Sequence, residues 1–151
     1  MKTIIISPYS RKLRNGKENS KNYSYWKELL KQMDGYKIIQ IGVNGEEQIV
    51  DDCRFNLLLK EIKQLLKDCD LFISVDNFLP HLAHTIGKSG IVLWGKSDPK
   101  IFGYPENLNL LKDRKYLRQF QFDIWEKEEF DENVFVRPDV IIKKVDKFKN
   151  V

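Results

Sequence analysis

Apolar and polar residues alternate along this chain in short blocks with two different periods. Lys2 to Ser7 is a β-branched run stopped by Pro8, the pattern of a buried strand. Lys37 to Val43, Leu71 to Val75 and Ile91 to Trp94 repeat that pattern, and Leu108 to Leu111 reads as a further strand. Ile49 to Phe55 is less regular and predicts a short strand around Cys53. Between these runs the spacing turns helical. Trp26, Leu29, Leu30 and Met33 share one face of a helix expected from Tyr25 to about Met33, with Ser24 as its N-cap, Glu28 four positions on and Gly35 as its stop. Leu57 to Lys67 places Leu58, Ile62, Leu65 and Leu66 on one side and charged residues on the other. Leu79 to Ile86 forms a third helical pattern, ended by Gly87. Pro138 opens a last helix with Val140, Ile141, Val145 and Phe148 as its apolar face.

Strands that alternate with helices predict an α/β fold: a single Rossmann-like domain, its parallel sheet covered by helices on both faces. A chain of 151 residues fits one domain over residues 1–151, with no internal repeat and no visible boundary. Two segments fall outside the periodic pattern. Lys96 to Asn107 reads as a polar loop. Tyr116 to Val136 carries Phe120, Phe122, Trp125, Phe130 and Phe135 beside an acidic patch from Glu126 to Glu132, and is expected to wrap the domain.

Composition narrows the class without changing that picture. The chain is 42% hydrophobic and 32% charged, as in a soluble globular protein, and no apolar stretch approaches the roughly 20 residues of a membrane span. The N-terminal run is too short for a signal peptide. Cys53 and Cys69 lack CxxC spacing, which fits a reduced, cytoplasmic protein. A net charge of +4 is too mild to argue for nucleic acid. The charge is uneven, however. Arg11, Lys12, Arg14, Lys17 and Lys21 crowd one polar loop with Asn15, Gly16, Asn19, Ser20 and Asn22. Such a loop is expected to be flexible; it fits a solvated surface, and its place after the first strand also suits an anion site.

The candidate chemistry lies where strands end. In an open parallel sheet, ligands bind outside the C-terminal ends of the strands. Asp76 and Asn77 follow one strand and His81 lies in the first turns of the next helix, whose N-terminus suits a phosphate; Asn77 and Ser74 can add donors. The same aspartate and histidine equally fit a simple helix cap. Trp94-Gly95-Lys96-Ser97 ends the next strand, where Gly95 lets backbone approach a ligand and Lys96 and Ser97 can bind an anion. Glu46 and Glu47 follow another strand, where an acid can hold ribose hydroxyls or simply favour a helix start. His81 and His84 stand at i, i+3, but no third ligand is nearby, so no metal is expected. GxGxxG and GxxxxGK[ST] patterns are absent.

Taken together, Ile73-Ser-Val-Asp76-Asn77-Phe78-Leu79-Pro80-His81-Leu-Ala83 and Val92-Leu-Trp94-Gly95-Lys96-Ser97-Asp98-Pro99 resemble the C-terminal, donor-binding domain of family 9 glycosyltransferases, the lipopolysaccharide heptosyltransferases. That family has the GT-B fold, two Rossmann-like domains with the active site between them, and its C-terminal domain binds a nucleotide sugar, typically ADP-heptose. Asp76 and His81 match the family's Asp-[Ser/Thr]-Gly-x-x-His pattern; Gly95, Ser97 and Pro99 match Gly-x-[Thr/Ser]-x-Pro, with Gly103 after it. Lys21-Asn22-Tyr23-Ser24 resembles Lys-x-Trp-Pro, whose lysine approaches the donor phosphates, and Gly42 to Glu47 resembles a segment whose acid contacts the ribose.

The resemblance implies a nucleotide-sugar site built from Lys21, Glu46, Glu47, Asp76, Asn77, His81, Gly95, Lys96 and Ser97, with no metal or other cofactor. It also implies an N-terminal acceptor domain carrying the catalytic base, which these residues do not contain. Transfer is then expected only with a homodimer neighbour or a separate acceptor-domain subunit; the alternatives are a non-catalytic module that binds or sequesters a nucleotide or nucleotide sugar, and an interaction protein on a degenerate transferase fold. Two departures stand inside the motif: Phe78 replaces the glycine, and Asn77 the small hydroxyl residue.

Overall fold

The computed structural model describes residues 1–149, with side chains described through Lys147. Six parallel strands form one sheet in the order β3-β2-β1-β4-β5-β6. They are β1 (Lys2–Ser7), β2 (Tyr36–Gly42), β3 (Asp52–Phe55), β4 (Leu71–Val75), β5 (Ile91–Trp94) and β6 (Leu108–Leu111). The helices are α1 (Trp26–Lys31), α2 (Leu59–Asp68), α3 (Phe78–Thr85), a single turn α4 (Pro99–Phe102) and α5 (Pro138–Lys149). The order reverses between β1 and β4, which pair directly, Ile4 with Leu71 through Ser7 with Ser74. That reversal makes a crevice at the C-terminal ends of these two strands.

Period-2 alternation in the strands builds two apolar layers. Ile4, Ile6, Leu71, Ile73, Val75, Ile91 and Leu93 face one side, where Trp26, Leu29 and Met33 of the α1 region and Ile141 and Val145 of α5 cover them. Ile5, Ile39, Ile41, Phe72, Val92 and Trp94 face the other, under Ile62 and Leu66 of α2 and Leu79 and Ala83 of α3. A strand buried on both faces is apolar at most positions, and the buried polar residues within these strands, such as Gln40 and Ser74, have hydrogen-bond partners. Phe148, expected on the apolar face of α5, lies outside the described side chains.

Three local expectations need correction. Ser24 does not cap α1: the helix starts after Tyr25 without a side-chain cap, and the Ser24 hydroxyl is buried without a partner. Inward anchors set the start instead, because the Tyr23 hydroxyl donates to the Val136 carbonyl (2.8 Å) and the Trp26 indole donates to that of Pro8 (3.2 Å). Leu58 does not join the apolar face of α2, which begins one residue later and leaves Leu58 exposed. The stretch 96–107 is not all loop, because Asp98 caps α4 by accepting from the Lys100 amide at 2.9 Å.

Gly87 ends α3 in the left-handed region (φ 70°), and the amides of Gly87 and Lys88 return to the carbonyls of His84 and Ala83. This arrangement satisfies the last turn and directs the chain into β5. No described helix is long and apolar enough to cross a membrane.

Close approach fixes Gly90, just before β5. A Cβ there would lie 2.5–2.6 Å from ring atoms of the buried Phe72. Gly90→Ala is expected to cost about 1–3 kcal/mol, the usual cost of overpacking a core. Urea unfolding checks this; an unchanged midpoint would show that the ring yields freely.

Candidate functional site

Asp76 and Asn77 leave β4 at the crevice, where their side chains take different roles. Asn77 is structural. Its Oδ1 accepts from the Leu79 amide (2.9 Å), capping α3, while Nδ2 donates to the Ser7 hydroxyl (2.8 Å) and the Tyr9 carbonyl (3.0 Å). One side chain therefore joins the end of β1 to the start of α3. Ser74, considered as a ligand donor, is fully buried, and its hydroxyl faces the Val75 carbonyl (2.7 Å) and Asn77 Oδ1 (2.9 Å). It points into the fold, not to the crevice.

Asp76 faces the crevice. Its Oδ2 lies 3.3 Å from Lys21 Nζ, with both side chains largely buried. The Lys21 ammonium also stands 5.2 Å above the Trp125 ring, a cation–π contact. His81 borders the same space, and its Nδ1 is 2.8 Å from the Tyr104 hydroxyl, a contact that leaves Nε2 as the nitrogen for any further partner. Tyr104 stacks on His84 (ring centroids 3.9 Å apart), which pairs with Glu106. Around this cluster lies a cleft of about 430 Å³, reached by Tyr9, Arg11, Val43, Glu46 and Phe78.

The start of α3 offers fewer amides than a bare helix N-terminus. In its first turn the Leu79 amide is taken by Asn77, and Pro80 has no amide hydrogen. Phe78 retains its amide, and the residue is 42% exposed and borders the cleft. An anion here must therefore rely more on side-chain cations than on the helix.

Glu46 accepts from the Val43 amide through Oε1 at 2.8 Å. Burial pushes its carboxyl up, opposed by the Val43 bond and by Lys12. Tyr9 beside it is pushed up to about 12, mainly by burial, then by Glu47, Glu18 and Glu46. Glu47 lies away from Asp76, exposed and paired with Lys27 at 2.9 Å. The fully buried Gln40 holds this turn, donating to the Glu47 carbonyl and accepting from the Ile49 amide, both at 2.8 Å.

At the end of β5, internal partners occupy two of the three predicted residues. A Cβ on Gly95 would meet Val134 at 2.7 Å and Phe135 at 2.8 Å, so internal packing alone requires glycine there. Lys96 Nζ lies 3.2 Å from Glu128 and donates to the Glu129 carbonyl. Ser97 differs: it is 3% exposed, its hydroxyl has no partner, and it borders a second, smaller cleft next to Lys21 and Asp76.

The basic loop is braced rather than flexible. Asn19 and Asn22 are buried; Asn19 donates to the Arg11 carbonyl (2.9 Å), and Asn22 accepts from the Ser10 amide (2.7 Å). The acidic stretch after Phe122 folds against the loop. Lys17 pairs with Glu129 at 2.7 Å, and the Arg14 amide donates to Glu126 at 3.3 Å. Arg118, missed in the sequence, fixes that stretch: it pairs with Glu128 (2.9 Å), donates to the carbonyls of Asp123 and Ile124 (2.9 Å each) and lies under the Trp125 ring (4.1 Å). Gln121, also missed, accepts from the Asp98 amide at 2.8 Å and donates to the Lys96 carbonyl at 2.9 Å. Only the complementary signs of the two segments hinted at this closure. Among the described residues, no group of three His, Cys, Asp or Glu converges as metal ligands.

The model of glycosyltransferase family 9 (heptosyltransferase) matches residues 2–132, most of the chain. The chain belongs to glycosyltransferase family 9. Among solved structures, the E. coli ADP-heptose lps heptosyltransferase II superposes with a TM-score of 0.66 at 15% identity, over 97% of this chain and 46% of that one. E. coli heptosyltransferase WaaC with ADP gives 0.62 at 13%, over 95% and 43%. The dodecameric iron-containing heptosyltransferase TibC, in complex with ADP-D-beta-D-heptose, gives 0.58 at 18%, over 91% and 36%. This family 9 domain thus spans less than half the length of each. A search of curated proteins gave no match.

Asn77→Ala removes the α3 cap and the link to β1, and is expected to cost about 2–3 kcal/mol; Asn77→Asp keeps the cap acceptor but not the donors, and recovers only part of that. Urea unfolding of both variants measures it; equal stability of Asn77→Ala and wild type would contradict the assignment. Asp98 binds Arg114 through both oxygens (3.0 and 2.7 Å), and these bonds, with the Lys100 amide, hold its carboxyl below the usual range. A lowered folded-state pKa contributes stability that is complete above the unfolded value near 4 and lost as pH falls through the folded one. Thermal midpoints of wild type should therefore fall more steeply below about pH 4 than those of Asp98→Asn; parallel curves would contradict this.

Proposed function

We propose that this domain binds a nucleoside-diphosphate sugar at the β1–β4 crevice, as the donor-binding, C-terminal-type half of a family 9 transferase. The observation that carries the reading is the Lys21–Asp76 pair, held at 3.3 Å at the switch point of a doubly wound sheet, with His81 and Arg11 beside it. Solved relatives with this fold carry ADP or ADP-D-beta-D-heptose.

In this reading Lys21 and Arg11 face the diphosphate, with the Phe78 amide as the helix donor. Nε2 of His81, oriented by Tyr104, is a further contact. Glu46, reached through the same cleft, accepts from the ribose. Asn77, Gly95, Lys96 and Glu47 support the site by fixing α3, the end of β5, the acidic segment and the turn after β2. The leaving diphosphate is neutralised by fixed cationic side chains already in place. The acceptor site and general base come from outside residues 1–149: another part of the polypeptide, a separate subunit or a second copy. The unpaired thiols Cys53 and Cys69 suit a cytoplasmic setting, where such donors are used.

Isothermal titration with ADP, GDP, UDP and their sugar conjugates tests the reading. At least one should bind, and Lys21→Ala should weaken it about tenfold or more, the loss of one charge-assisted contact. Absence of binding across the set, or equal affinity in Lys21→Ala, would overturn it.

A further inference from the structure

The two histidines of α3, His81 and His84, are spaced like metal ligands, yet both rings close on one side chain, Tyr104. The Tyr104 ring stacks on His84 (centroids 3.9 Å apart, planes 12° from parallel) and meets His81 edge-on (5.4 Å, 81°). Its hydroxyl is 2.8 Å from His81 Nδ1. His84 is held in turn through its own Nδ1 by Glu106. The backbone of Tyr104 is fixed as well. Its carbonyl accepts from the Asn107 amide (3.1 Å) and from Asn109 Nδ2 (3.0 Å), and Asn109 accepts from the buried Trp94 indole (2.9 Å). Tyr104 is therefore anchored to β5 and β6 and reaches across to α3.

A neutral imidazole has one N–H and one bare nitrogen, and the partner of one nitrogen decides the state of the other. Among the described residues, the Tyr104 hydroxyl has His81 Nδ1 as its hydrogen-bond partner and no other. A phenol donates better than it accepts, because its oxygen lone pair is delocalised into the ring. If Nδ1–H donated, the phenol proton would be left to solvent; when the phenol donates, both groups are satisfied. The imidazole proton then sits on Nε2. The surroundings call for the same state. His81 borders the cleft that holds Lys21 and Arg11. A bare Nε2 would turn a lone pair towards the oxygens of a diphosphate there, whereas Nε2–H donates to one.

We infer that Tyr104 is a positioning residue: it holds His81 as the neutral Nε2–H tautomer, so that the cleft meets a fixed hydrogen-bond donor there and not a base. The consequence for ligand binding rests on the nucleotide-sugar reading above; the tautomer itself does not. His84 and Glu106 serve the same end, by keeping the Tyr104 ring in place from its other side. With Nδ1 bonded to Tyr104 and Nε2 protonated, His81 has no free lone pair to take a proton from an acceptor hydroxyl. That agrees with a general base supplied from outside residues 1–149.

The chain has 2 histidines, so long-range proton–nitrogen spectra of their rings read the tautomer directly. They are recorded at about pH 8.5, where free imidazole is neutral, and His81→Gln identifies the His81 signals by their loss. Wild type should show His81 with a bare Nδ1 and a protonated Nε2. Tyr104→Phe keeps the ring and its stacking on His84, and should move His81 towards a mixture of both tautomers. A protonated Nδ1 in wild type, or an unchanged His81 pattern in Tyr104→Phe, overturns the proposal whether or not a nucleotide binds. Calorimetry with ADP, GDP and UDP reads the consequence. Tyr104→Phe should weaken whichever binds about three- to tenfold, the worth of one hydrogen bond. His81→Gln keeps a neutral N–H donor and should weaken it less than His81→Ala. Equal affinities in wild type and Tyr104→Phe, or His81→Gln as weak as His81→Ala, overturn the hydrogen-bonding role of His81 towards the ligand. Failure of all three nucleotides to bind overturns the nucleotide-sugar reading, while the spectra still decide the tautomer.

Discussion

Asn77 is the constraint on which the crevice depends. A doubly wound sheet opens between β1 and β4 because their outgoing chains turn to opposite faces. Something must hold those diverging chains in register. The Asn77 amide does so by bonding Ser7 and Tyr9 on one side and capping α3 on the other. A serine or threonine could cap the helix but has one hydroxyl for all of these contacts. Asparagine has two donors and an acceptor in a plane, so it closes the join and still presents Asp76 to Lys21.

Charge closes the rest of the site. Arg11, Lys12, Arg14, Lys17 and Lys21 would repel one another on a free loop. Glu126 and Glu129 approach the outer members of that group, and Arg118 anchors their segment from beneath. Exposed pairs contribute little individually. Their value here is positional: Lys17 is engaged outside, and Lys21 is turned inward, between Asp76 and Trp125. The cleft that runs towards β2 and the smaller one beside Ser97 therefore share one charged centre.

Much of this was legible in the chain. Strands buried on both faces leave continuous apolar runs, so β1, β4 and β5 could be placed nearly residue for residue, while the half-exposed edge strand β6 showed only as a short leucine pattern; the family motif marked Asp76 and His81, which border the crevice. Less legible were features that depend on partners distant in sequence. Nothing local marks Arg118 or Gln121, because their roles come from carbonyls and amides that only the closed loop supplies. Gly95 and Lys96 read as ligand contacts because a glycine and a lysine at a strand end suit an anion. Val134, Phe135, Glu128 and Glu129, more than 30 residues on, meet both internally. Ser24 read as a cap because local spacing cannot show that Tyr23 and Trp26 turn inward.

The proposed ligand site is the crevice between β1 and β4, around Lys21 and Asp76. Amide chemical-shift mapping with a nucleoside-diphosphate sugar tests this most directly. Perturbations are expected to cluster at Arg11, Lys21, Val43, Asp76, Phe78 and His81. Perturbations confined to the opposite edge of the sheet, or to the outer faces of α2 and α5, would contradict it.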